Sequence, residues 1–183
     1  MFRTIPNQIT LARIASVPLL MYLILVGSRS SLATVFAIVV FCLAALSDAV
    51  DGYLARSFKQ TSTFGKFADP IADKLLVVGA LISFVELGEL SAAPVMVIVA
   101  REFLVTGLRI LAVADGEIVG ASILGKLKTI SHIWLVLAVL INRSFGLGPA
   151  METAKVALLY LAITLALVSG AEYGYRLRRL FVR

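Results

Sequence analysis

Asp48, Asp51, Asp69 and Asp73 are the residues of this chain best suited to chemistry, and they stand within or beside segments apolar enough to cross a bilayer. A carboxylate near a bilayer core costs on the order of 3 kcal/mol on insertion scales, so four together require a strong compensating interaction. Divalent cations supply one. Asp48 and Asp51 are three residues apart and Asp69 and Asp73 are four apart, so each pair shares a face if its segment is helical. Two antiparallel neighbouring helices can turn these faces together. Left unneutralised, four carboxylates repel one another strongly; two divalent ions balance their charge. Paired ions roughly 3.5–4 Å apart suit displacement at phosphorus.

The residues between the aspartates extend the pattern. Gly52 and Gly65 allow a bulky ligand such as a nucleotide to approach the backbone, Arg56 offers a two-pronged fork to phosphate, and Ser62 offers a hydroxyl. Each residue alone has a plainer explanation. Asp69 precedes Pro70 and fits a helix N-cap, Asp48 and Asp51 can pair with Lys or Arg, Asp73 can pair with Lys74, and either glycine can serve packing or a turn. The joint spacing is what singles out the metal reading.

The elements that must position these residues are membrane helices. Of the 183 residues, 60% are apolar, against about 45–50% in a soluble domain. Six segments approach the roughly 20 apolar residues that span a bilayer, near 9–26, 32–54, 70–87, 92–114, 123–141 and 153–172. The expected fold is an all-α integral membrane protein, a bundle of six transmembrane helices forming a single catalytic domain over residues 1–183. The stretch from Arg56 to Ala68 is the one longer connection. No internal repeat is evident, and the N-terminus does not read as a cleavable signal.

Arg and Lys cluster at both termini, in the connection after the second segment and around the fourth connection, which places the termini and the aspartates on the cytoplasmic side of an inner or plasma membrane. The net charge of +6 suits anionic headgroups or phosphorylated substrates; no aromatic-interleaved basic stretch points to nucleic acid. One cysteine, Cys42, and one histidine, His132, exclude an internal disulfide framework and a Cys- or His-rich metal site. Oxygen ligands favour magnesium, manganese or calcium.

The run from Asp48 to Asp73 resembles the CDP-alcohol phosphotransferase signature, D-x2-D-G-x2-A-R-x8-G-x3-D-x3-D, at all eight fixed positions. That resemblance implies an enzyme of six transmembrane helices, often a homodimer, that transfers a substituted phosphate from a CDP-linked donor to an alcohol and releases CMP. It implies that Asp48, Asp51, Asp69 and Asp73 hold two divalent cations, Mg2+ or Mn2+, with Asp73 also the general base. It further implies that Gly52, Arg56 and Ser62, with Gly65, lie against a CDP-lipid such as CDP-diacylglycerol. Pro6-Asn7-Gln8-Ile9-Thr10, followed by Arg13, resembles the segment that helps close the nucleotide site, which adds Asn7 and Thr10; each also fits a helix cap.

Ala100-Arg101-Glu102-Phe103, Arg109 and Gly125-Lys126-Leu127-Lys128-Thr129 resemble the branch of the family whose acceptor is glycerol 3-phosphate. Arg101, Arg109, Lys126 and Lys128 are then candidates for the acceptor phosphate. Lys126 and Lys128 also suit snorkelling anchors, Arg101 also suits a pair with Glu102, and Glu102 also suits orienting one of these cations. His132 is expected to be packed or hydrogen-bonded, Trp134 to pack within the bundle, and the Arg-rich tail to lie on anionic membrane lipid. Two rivals remain: another acceptor, such as inositol phosphate or phosphatidylglycerol, and a cation-coupled transporter. Transporter sites tend to sit at the midplane of repeated, broken helices.

Overall fold

The computed structural model describes residues 5–27, 30–58, 63–116, 120 and 122–178, with side chains except those of 5–7, 9, 48–58, 63–70, 73 and 114. These residues form six helices: α1 (Ile5–Val26), α2 (Ser31–Phe58), α3 (Thr63–Glu86), α4 (Ala92–Ala114), α5 (Ile123–Phe145) and α6 (Pro149–Arg176). No strand occurs among the described residues. Each apolar segment read from the sequence lies within or largely overlaps one helix. By length and composition α5 and α6 are apolar enough to cross a membrane, and Thr10–Val26 and Ser31–Ser47 are shorter apolar stretches.

α2 and α3 run further than the apolar pattern suggested. α2 continues to Phe58 and α3 starts at Thr63, so most of the stretch expected to connect them is helical. Charged side chains end an apolar run, but they do not stop a backbone from satisfying its own N–H and C=O groups. α3 passes through Asp69 and Pro70. Asp69 is therefore an interior helical position and not the N-cap that its proline neighbour suggested.

The chain divides into two compact units. The first comprises residues 1–89 and 139–147, the second residues 90–138 and 148–183. In the first, α1 packs on both α2 and α3. Leu20 and Ile24 of α1, Phe41 of α2, and Leu81 and Phe84 of α3 are fully or almost fully buried there. Gly79 makes the α1–α3 approach possible: a Cβ at this position would lie 2.9 Å from Val17 Cγ1. α3 then ends in a Schellman turn. Glu89 N–H donates to Phe84 O and Gly88 N–H to Val85 O, with Gly88 at φ 71°, where a side chain would be strained. Glu89 itself accepts from Arg143 Nη1 at 2.7 Å, fixing the end of α5 within the same unit.

The second unit is built on α4 against α6, with the first four turns of α5. Ile98, Leu135, Val136, Ala162 and Ala166 are fully buried within it. α6 begins at Pro149, whose ring is preset for the first helical position. In both units large apolar side chains also face outward, among them Leu43, Leu104 and Tyr160. Trp134 is 57% exposed and so does not pack in the bundle as expected. It shares an outward ridge of α5 with Leu127 and Ile130, at helical spacing, and these are exposed too.

Candidate active site

Asp48 and Asp51 are placed on α2, and Asp69 and Asp73 on α3. The helical state gives each pair one face by register, as the spacing required. α2 and α3 touch each other as well as α1. Gly52 and Arg56 are on α2, and Gly65 is on α3. The side chains of the four aspartates and of Arg56 lie outside the described residues, as does Ser62 altogether, so convergence of the four carboxylates is not part of the described geometry. Among the residues whose side chains are described, no group of three or more metal-ligating side chains occurs. The donor set at these positions, four carboxylates and no sulfur or imidazole, fits a hard divalent cation.

The described part of this site is its support from α1. Arg13 is 3% exposed, and its Nε and Nη2 both donate to Ser47 Oγ, at 3.2 and 3.0 Å. Ser47 Oγ in turn donates to Ala44 O at 2.8 Å. Ser47 directly precedes Asp48, so a buried guanidinium on α1 grips α2 at the residue where the aspartate run begins. Thr10, one turn before Arg13, is also buried; the Asn7 side chain is outside the described set.

The second unit holds a separate polar cluster. Glu102 on α4 is 4% exposed, and its Oε1 accepts from Arg101 Nη1 at 3.3 Å and from Lys128 Nζ of α5. His132 Nδ1 lies 3.9 Å from the same oxygen. Arg101 also reaches α6: its Nε donates to Ala166 O at 3.2 Å and its Nη2 to Ser169 Oγ at 2.9 Å. Gly170 leaves room for the Arg101 stem, since a Cβ there would stand 3.2 Å from Arg101 Cγ. Nearby, Tyr173 of α6 accepts from Ser122 N–H at 3.1 Å and donates to Gly120 O at 3.3 Å, and Ser122 Oγ accepts from Gly125 N–H at 2.9 Å. The start of α5 is thereby capped by its own serine and tied to α6.

Of the four cations assigned to the acceptor, the structure brings Arg101 and Lys128 together on Glu102. Arg109 and Lys126 are exposed and form no ion pair among the described residues.

Comparison with known proteins decides the family. The sequence matches the profile of the CDP-alcohol phosphatidyltransferases over residues 3–168. The chain belongs to this family. The family is membrane-bound and generally depends on a divalent metal. A CDP-diacylglycerol–glycerol-3-phosphate 3-phosphatidyltransferase of Bacillus subtilis (strain 168) is 43% identical over 180 residues, covering 92% of each chain. A protein of the same name from Rickettsia typhi is 36% identical, covering 93% of this chain and 95% of its own. A probable phosphatidylglycerophosphate synthase of Mycobacterium tuberculosis is 37% identical, covering 94% of this chain and 81% of its own.

Several residues of this family member escaped the reading of its sequence. Ser47 had a local signal, since it abuts the aspartate run. Ser122 had one too, as a serine three residues before Gly125 at a helix start. Tyr173 and Ser169 had none, because their partners are 51 and 68 residues away.

Proposed function

We propose that this chain transfers the phosphatidyl group of CDP-diacylglycerol to glycerol 3-phosphate, yielding phosphatidylglycerophosphate and CMP. The observation that carries this reading is near-full-length likeness to relatives named for that reaction, together with an intact aspartate signature on α2 and α3. The outward apolar side chains support all six helices crossing the bilayer, with the termini and aspartates cytoplasmic. In this arrangement the acyl chains remain in lipid while the CDP group reaches the aspartates, and the enzyme works as a homodimer.

Asp48, Asp51, Asp69 and Asp73 are the residues that would hold two divalent cations. When bound, such ions neutralise the diphosphate and the charge that develops on departing CMP. Gly52 and Gly65 leave the backbone open to the nucleotide, and Arg56 and Ser62 bond its phosphates, with Asn7 and Thr10 closing over it. Arg101, Arg109, Lys126 and Lys128 attract the acceptor's phosphate. Asp73 takes the proton of the glycerol 1-hydroxyl, that oxygen bonds to the phosphorus bearing diacylglycerol, and the bond from phosphorus to the CMP oxygen breaks. Orientation and electrostatic stabilisation carry such a step, as in phosphoryl transfer generally.

The test is CMP release by the purified protein from CDP-diacylglycerol with a panel of acceptors. Glycerol 3-phosphate is expected to give CMP and phosphatidylglycerophosphate in equal amounts. Preference for inositol phosphate or phosphatidylglycerol would replace the acceptor, and absence of CMP with every alcohol would remove the enzyme reading.

A further inference from the structure

The cluster on Glu102 is an expensive thing to build inside α4 and α5. Two cations and a carboxylate are all nearly buried, in a chain of a membrane-bound family, where each ionisable group costs several kcal/mol unless compensated. The compensation is also lopsided. Glu102 Oε1 serves both Arg101 and Lys128, while Oε2 is buried with no hydrogen-bond partner among the described residues. An orphaned buried acceptor costs about 1–3 kcal/mol. A cluster serving only to join α4 to α5 would be better replaced by apolar side chains of similar volume.

Arg101 shows what the arrangement accomplishes. Its stem lines an open apolar groove of about 1060 Å³ between α4 and α6, where it is the one charged residue among the lining. A snorkelling arginine keeps its stem on apolar surface and sends its head to water. Here the head turns inward instead, and all three guanidinium nitrogens are engaged, by Ala166 O, Ser169 Oγ and Glu102. Glu102 thus receives one cation already fixed by α6 and one delivered by α5. Among the described residues the cluster gathers two cations on one carboxylate, which sets how they are arranged.

We infer that Glu102 is a positioning residue for the phosphorylated acceptor: it fixes Arg101 and Lys128 in one arrangement, so that their positive charge is presented to the acceptor's phosphate without reorganisation. The inference rests on the acceptor reading above and adds a residue that does not itself touch substrate. Pre-set charge favours an anion because no side-chain freedom is lost on binding.

The experiment is steady-state kinetics of the full-length protein in detergent micelles with CDP-diacylglycerol and glycerol 3-phosphate each varied, beside thermal melting, for Glu102→Gln, Glu102→Asp, Lys128→Met and the double variant Glu102→Gln/Lys128→Met. Glu102→Gln should raise KM for glycerol 3-phosphate roughly tenfold, the scale of one charge-assisted hydrogen bond, with KM for CDP-diacylglycerol unchanged. Glu102→Asp keeps the charge but withdraws it by one methylene, and should fall between Gln and the native protein. Lys128→Met should raise the same KM, and the double variant should be no worse than the poorer single variant, because the two residues act as one unit.

Parallel loss of kcat and of both KM values with a lowered melting temperature would reduce Glu102 to a structural tie. A raised acceptor KM in Lys128→Met alone, with Glu102→Gln native-like, would overturn the positioning role and leave the acceptor reading standing. An unchanged acceptor KM in Lys128→Met would instead defeat that reading at Lys128. If Glu102→Gln is not recovered folded, Glu102→Asp decides: an acceptor KM equal to the native value overturns the inference.

Discussion

The two units of this protein hold charge in opposite ways. In the first, four acidic positions share two consecutive helices, and a single buried arginine from α1 braces the start of the run through Ser47. In the second, two cations from α4 and α5 close on one carboxylate, and α6 braces the cluster through Ser169 and Ala166. On the function proposed above, the like charge of the acidic set is balanced by bound divalent cations. The basic set is held together by its own ion pairs, Arg101 and Lys128 on Glu102. A site that depends on an external ion can be emptied by removing it, whereas one built from internal pairs responds to its geometry. The two should therefore fail differently.

The sharpest separation is expected from Asp73→Asn. Loss of a general base costs about 10²–10⁴-fold in turnover, so phosphatidylglycerophosphate formation should fall by that order while CDP-diacylglycerol is still retained by the protein. Native turnover would take Asp73 out of the chemistry. Asp48→Ala should lose roughly a hundredfold in activity, the scale of several kcal/mol of lost charge stabilisation, and should blunt the response of melting temperature to added Mn2+. Full activity of the native protein in excess chelator would break the acidic half of the comparison altogether.

On the basic side the effects should be smaller and confined to one substrate. Arg109→Ala or Lys126→Ala is expected to raise KM for glycerol 3-phosphate by about tenfold, with little change for CDP-diacylglycerol, as loss of one exposed phosphate contact would. Equal shifts for both substrates would erase the division of labour between the units. The smallest effect belongs to Tyr173→Phe, which removes one hydroxyl shared by Ser122 N–H and Gly120 O. Stability should drop by about 1 kcal/mol, read as a lower melting midpoint, with both KM values near native.

The same contrast explains what could be read in advance. The helical placement of Asp48, Asp51, Asp69 and Asp73, each pair on one face, was legible because helix periodicity is local: residues three and four apart share a face whatever else the chain does. The six helices were legible for the same reason, from apolar runs bounded by charge. Charge did not mark their ends, however, and so α2 and α3 overran the expected limits and took in Asp69. Arg101 and Glu102 could be suspected of pairing because they are neighbours. Nothing local pointed to Lys128, 26 residues on, as the third member, or to Ser169, 68 residues away, as the anchor. Trp134 was misread because its depth along α5 says nothing about which side of the helix it faces.

The Arg13–Ser47 contact has a consequence for how the protein is made. These residues are 34 positions apart, and at roughly 5–20 residues per second a ribosome needs about 2–7 s to travel from one to the other. Throughout that interval the nascent first helix carries a guanidinium whose eventual hydroxyl acceptor has not been synthesised. Completion of the α1–α2 pair is thus a joint event, reached when the second helix arrives to receive the arginine, and the aspartate run emerges from the ribosome directly behind that handshake.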